Sequence, residues 1–189
     1  RVLAGSVAEA SVWSMGAVEA HETLVELTRL EAQVASLKLK VAAHAAQVDD
    51  RDAVAAWAHA TVQSPKAARV QARLARSVES HAAVQSALAA GRIDVDQARV
   101  IVRALEALPA EVGPDLVARA EAFLLDAARD HHAPALGVLG RRLFEVIAPE
   151  EADAREAAAL EREERADAAA ARFTSWTDGR GRLHGRFVL

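Results

Sequence analysis

The chain has 189 residues and a formal net charge of −4 at neutral pH, enough length for one or two domains with a buried core. Hydrophobic residues make up 52%, which excludes wholesale disorder, although aromatics are only 4% and much of the apolar share is alanine. The absence of cysteine excludes disulfides, thiolate metal sites and a cysteine nucleophile, and no charge-free apolar run reaches the roughly 18 residues of a membrane span.

Alanine favours helix and buries little area per residue, so a thin core of close-packed helices is expected. The opening "RVLAGSVAEA" has neither an initiator Met nor the pattern of an export signal, and "RLHGRFVL" stops inside a strand-like stretch. A cytoplasmic piece of a longer protein is the expectation. A long first helix follows, in which Trp13, Ala20, Leu27, Val34, Val41 and Val48 recur every seven residues, with Leu30, Leu37 and His44 three later. That heptad stripe predicts the seam of a helical hairpin or coiled-coil-like contact. Gly16 weakens its start, and Asp49-Asp50 ends it or caps the next element. A short helix around Trp57 leads to "TVQSP", where Ser64 suits the N-cap and Pro65 the first helical position.

From Pro65 a helix is predicted to about Ser77, with Ala67, Val70, Leu74 and Val78 facing inward, and another to about Ala90. Gly91 is a helix stop, and Asp94 with Gln97 reads as a capping box opening a helix that ends near Leu108. Pro109 and Gly113-Pro114 break the chain again, before a helix to about Asp130 with Ala118, Ala122, Leu125 and Ala128 on one face. Pro134 begins a helix ending at Pro149, and the acid-rich run from Pro149 is a solvated helix whose early carboxylates suit its dipole. "RFTSWTDGRGRLHGRFVL" reads as a β-hairpin turning at Asp178-Gly179.

Lys66, Arg69, Arg73 and Arg76 are spaced three, four and three, so they form one stripe of the helix from Pro65. No acid lies between Asp52 and Glu79, so this stretch carries +4 in a chain that totals −4. Phosphates would dock on such a stripe, since Lys and Arg contacts supply most non-specific DNA affinity. The alternative is a solvated face, or arginines paired with Glu161, Glu163 or Glu164 of the acidic helix. Arg92, Arg99 and Arg103 lie at the Gly91 corner, and "LAAGRIDVDQARVIV" looks like the second turn-and-helix of bacterial DNA-binding domains such as those of ParB-type partition proteins. Short helical corners are also common in proteins that touch no DNA.

Other chemistry finds little support. His131 and His132 are adjacent and therefore point apart, so a polar helix end fits better than a metal site. His44 falls on the apolar seam as a core histidine, and His21 beside Glu19 and Glu22 faces solvent. There is no phosphate-binding glycine loop and no nucleophile elbow, so neither a catalytic residue nor a cofactor is assigned to these residues. Lysine occurs only at Lys38, Lys40 and Lys66, and the Arg and Ala bias matches a GC-rich source.

The stretch from "AAWAHATVQSPKAARVQARLARSVESHAAVQSALAAGRIDVDQARVIVRALEALP" through "RAEAFLLDAARDH", "FEVIAPEEAD" and "TDGRGRLHGRF" resembles domain of unknown function 222. The resemblance runs from about Leu24 to Leu189, and departs at "SVESHAAV", where family members often carry a proline. It implies an actinobacterial protein of the 13E12-repeat family, with this domain ahead of a C-terminal HNH endonuclease. An HNH site generally needs an Asn, which this sequence lacks, so the nuclease residues implied by the resemblance would lie after Leu189.

The expected fold is all-α: a multi-helix bundle with a long N-terminal helix over 1–50, a helical domain with helix-turn-helix-like corners over 51–171, and a short β-hairpin over 172–189. The expected role is non-catalytic, aiding DNA engagement through Lys66, Arg69, Arg73 and Arg76, with Arg99 and Arg103 as further contacts. The alternative is a structural module that forms a homodimer through the long helix. No membrane partner is expected.

Overall fold

The computed structural model describes residues 12–48 and 52–188. Among these the helices in chain order are α1 (Ala17–Val48), α2 (Asp52–Ala60), α3 (Pro65–Glu79), α4 (Ala82–Ala89), α5 (Val95–Glu106), α6 (Pro114–Ala127), α7 (Ala133–Arg141), α8 (Leu143–Ile147) and α9 (Pro149–Ala170). Strands β1 (Arg172–Thr177) and β2 (Leu183–Val188) follow. The chain is therefore a helical protein with a C-terminal hairpin, as its composition and breaks predict. Asp49 and Asp50 lie outside the described residues. The chain divides into two compact units, Arg1–Leu143 and Phe144–Leu189.

In the first unit α5 is central, in contact with α3, α4, α6 and α7. Its Ala98 and Ile101 are fully buried, and Val102 and Leu105 nearly so. α1 lies along α3 and α4, and α2 packs on α1 and α3. Helices approach closely because the contacting residues are small: Ala68, Ala72 and Ala75 of α3 are buried, as are Ala32, Ser36, Ala42 and Ala43 of α1. A Cβ on Gly140 of α7 would come within 2.8 Å of the Ala104 Cβ, so only glycine fits there against α5.

The packing faces differ from those expected. α1 packs through Ala32, Ser36, Leu39, Ala42 and Ala43, whereas Leu27, Leu30, Val34, Leu37, Val41 and Val48 of the heptad stripe are exposed. Trp13 precedes the helix and is also exposed, and His44 is an exposed residue rather than a core one. In α3, Leu74 and Val78 are buried as expected, but Ala67 and Val70 are exposed and Ala68, Ala72 and Ala75 take their place. In α6 the buried residues are Ala120 and Leu124, with Ala128 at the C-cap, while Ala118 and Ala122 face outward. The single helix expected from Pro134 to Pro149 is interrupted at Arg142, after Gly137 and Gly140 have weakened its helical propensity.

Helix ends are closed by local and distant groups. The Ala67 N–H donates to Ser64 Oγ at 3.2 Å, and the Ala135 N–H to His132 Nδ1 at 3.3 Å. At the Gly91 corner, the Arg92 N–H reaches the Ala87 carbonyl (2.9 Å) and the Gly91 N–H the Leu88 carbonyl (3.0 Å), with Gly91 at φ 67°. This is the Schellman closure that glycine makes at least cost. The capping box forms as expected, with Asp94 Oδ1 accepting from the Gln97 N–H and Gln97 Oε1 from the Asp94 N–H. The Gln97 amide also donates to the carbonyls of Ala128 and His131, both at 2.9 Å. α4 has no side-chain cap of its own, and Glu121 of α6 instead accepts from the Val84 N–H at 3.0 Å.

In the second unit α9 buries no residue, in line with a solvated helix. β1 and β2 pair antiparallel, Phe173 opposite Phe187 and Trp176 opposite His184. Their connection is longer than a two-residue turn: the Asp178 N–H donates to the Arg182 carbonyl, and Gly181 takes the positive φ. No helix among the described residues is long and apolar enough to cross a membrane.

Candidate nucleic-acid interface

α3 has a strongly one-sided sequence, and its buried alanine face against α1 and α2 leaves Lys66, Arg69, Arg73 and Arg76 exposed. Ser64 and Pro65 set the helix start, which fixes the rotation of all four cations about its axis. None of the four forms an ion pair within the described residues of the first unit. In α9, Glu161 pairs with Arg165 one turn on, at 2.9 Å.

Arg69, Arg73 and Arg76 line one wall of a cleft of about 680 Å³. The opposite wall comes from Val54, Ala55 and Ala58 of α2, with Ala46 of α1 closing one side. Lys66 lies on the same helix stripe but does not line the cleft. From Arg69 to Arg76 the helix rises about 10 Å, the axial distance over which one DNA strand advances about three nucleotides. The cleft is therefore apolar on one wall and cationic on the other.

The Gly91 corner contributes less positive charge. α5 is the most enclosed helix of the unit, and its outward positions are Asp96, Arg99, Arg103 and Glu106, a strip of balanced sign. Arg99 is ion-paired with Asp96 one turn earlier. Arg103 and Arg92 are exposed, and neither they nor Arg99 line the cleft of α3. A Cβ on Gly91 would sit 3.0 Å from the Arg29 carbonyl oxygen, so the corner is pressed against α1.

The sequence places the arginines on one face, but the wall opposite them was missed. "DAVAAWAHA" reads as a short apolar helix without indicating that Val54, Ala55 and Ala58 face α3. Among the described residues no group of three or more His, Asp or Glu side chains is arranged to hold a metal ion.

The order of the Trp57 helix, the Ser64-Pro65 start, the Gly91 corner, the Pro149 helix and the hairpin matches a known family. The family model for "Domain of unknown function (DUF222)" covers residues 17–184. The chain belongs to this family. No curated protein and no solved structure matches it. Within this DUF222 domain, the match spans all of α1 to α9 and β1, and it includes both the α3 stripe and the cleft it borders.

Proposed function

We propose that this DUF222 domain is a non-catalytic DNA-engaging module that holds the phosphate backbone through α3, in support of a nuclease domain of the parent chain. The observation that carries this reading is the row of exposed cations, Lys66, Arg69, Arg73 and Arg76, without an ion pair among the described residues of their own unit, three of which, Arg69, Arg73 and Arg76, border one cleft. Guanidinium groups suit phosphates because their planar fork donates two parallel hydrogen bonds. The HNH partner enters from the family resemblance. Arg99 is a weaker candidate because Asp96 already neutralises it, and Arg103 stands apart from the cleft.

Contacts of this kind read no base, so affinity should be similar for unrelated duplexes and fall steeply with salt. The test is fluorescence anisotropy with two unrelated duplexes at several salt concentrations, comparing the wild type with Arg69→Ala/Arg73→Ala/Arg76→Ala. Loss of three phosphate contacts should lower the log–log salt slope by about 2 to 3 and weaken both duplexes equally. The fold should survive, since the buried Ala68, Ala72 and Ala75 are untouched. Unchanged binding with a lower melting temperature would overturn the reading and make the arginines structural partners of carboxylates.

A further inference from the structure

We propose that the outer face of α1 is a self-association surface on which a second copy of this chain lays its own α1, antiparallel. With Leu27 at heptad position a, Val34, Val41 and Val48 repeat that position, and Leu30, Leu37 and His44 occupy d. The residues that α1 buries in its own unit, Ala32, Ser36, Leu39, Ala42 and Ala43, fall at positions b, c and f. At 100° per residue the two stripes lie about 180° apart, so packing within the chain leaves the seam uncovered. Leu30, Val34, Leu37 and Val41 are 52% to 63% exposed. Large aliphatic side chains repeated in register on one face are what a coiled-coil partner requires, and they are costly to leave in water.

Area and charge both point to a copy of the same chain. Six seam side chains offer on the order of 100 Å² each, hence about 1,200 Å² over two copies, the lower edge of stable specific interfaces. An antiparallel pairing that sets Val34 against Leu37 of the second copy also sets Leu30 against Val41 and Leu27 against His44. Glu31 and Lys38, both at position e, then face each other across the seam, and two-fold symmetry makes the pair twice. A parallel pairing would instead bring Glu26 at position g against Glu31 of the other chain.

The lysine is already held at the seam edge, its Nζ 5.2 Å from the centre of the Trp57 ring. Beside it, Val34, Leu37, Val41 and Trp57 border an apolar groove of about 560 Å³, deep enough to seat a leucine of the opposing helix. The first half of α1 supplies an independent reason for a partner. No residue of α1 before Ala32 is buried, and a helical segment of about 15 residues is marginal in water by itself. In the antiparallel pairing residues 23–30 of that half lie on residues 41–48 of the second copy.

The test is sedimentation equilibrium of the 189-residue chain across the micromolar range, with circular dichroism in parallel. The wild type is expected to move from 20.1 kDa to twice that mass with rising concentration. Leu37→Glu, at an exposed position, should remain a monomer whose helicity falls by no more than the unburied segment of α1 before Ala32. Glu31→Lys should weaken the dimer about tenfold, by turning two attractions into repulsions. Adding Lys38→Glu to it should restore association. A wild type that is monomeric throughout, or a Leu37→Glu variant that still dimerises, overturns the proposal, as does a Glu31→Lys variant that associates more tightly.

Discussion

Gln97 allows a test in which local and tertiary reasoning predict opposite results. Its side chain makes three hydrogen bonds: Oε1 accepts from the Asp94 N–H at 3.0 Å, and Nε2 donates to the Ala128 and His131 carbonyls at 2.9 Å each. Two carbonyls can only accept, so the amide orientation is determined by its partners. For an isolated capping box, Glu at this position is as good as Gln, because either accepts from the N-cap N–H. In this bundle Gln97→Glu keeps that bond but removes both donors and aims a carboxylate at the carbonyl end of α6. Two lost bonds at about 1 kcal/mol each, with up to 1 kcal/mol for an anion at a helix C-terminus, give about 3 kcal/mol. Gln97→Ala loses all three bonds without adding the repulsion, so its cost should be similar at about 2 to 3 kcal/mol. Urea unfolding followed by circular dichroism would measure both, and thermal melting should show a drop of about 6 to 12 °C for Glu. A Gln97→Glu variant within 0.5 kcal/mol of wild type would refute the bridge between α5 and α6 and leave only the local cap.

Two other positions yield outcomes of stated sign. Val62 takes the left-handed conformation (φ 55°) in the turn after α2, where its N–H donates to the His59 carbonyl, yet it is 94% exposed. Val62→Gly should therefore raise stability by about 1 kcal/mol, because it relieves backbone strain without losing packing, and a lower urea midpoint would contradict this. Asp178 has its pKa lowered below the ordinary 3.8, first by the backbone N–H of Arg182, then by that of Arg180 and by the His184 side chain. Its contribution to the hairpin is present above 3.8 and lost as pH falls through the lowered value. The amide signals of Arg180 and Arg182 should then hold their positions down to that range, and titration of Asp178 at or above 3.8 would disprove the assignment.

Local chemistry was legible in the sequence wherever it depends on neighbours along the chain. Gly91, the Asp94–Gln97 box, Ser64-Pro65 and Gly113-Pro114 mark helix ends because each supplies a missing hydrogen-bond partner or the backbone angle that stops a helix. The spacing of Lys66, Arg69, Arg73 and Arg76 likewise determines that they share one face. Whether any carboxylate neutralises them does not follow from spacing, since Asp96 neutralises Arg99 while no acid among the described residues of the first unit pairs with the α3 row.

The face that α1 turns inward was decided only by tertiary packing. Periodicity draws attention to the largest apolar side chains, from Leu27 to Val48, because they have most to gain from leaving water. The bundle instead brings α1 against α3, whose buried face includes Ala68, Ala72 and Ala75, and helices this close have room only for residues such as Ala32, Ser36 and Ala43. Alanine content announced a close-packed core, yet two faces of α1 were apolar enough to fill it. Steric fit between helices distant in sequence chose the small one and left the large one on the surface.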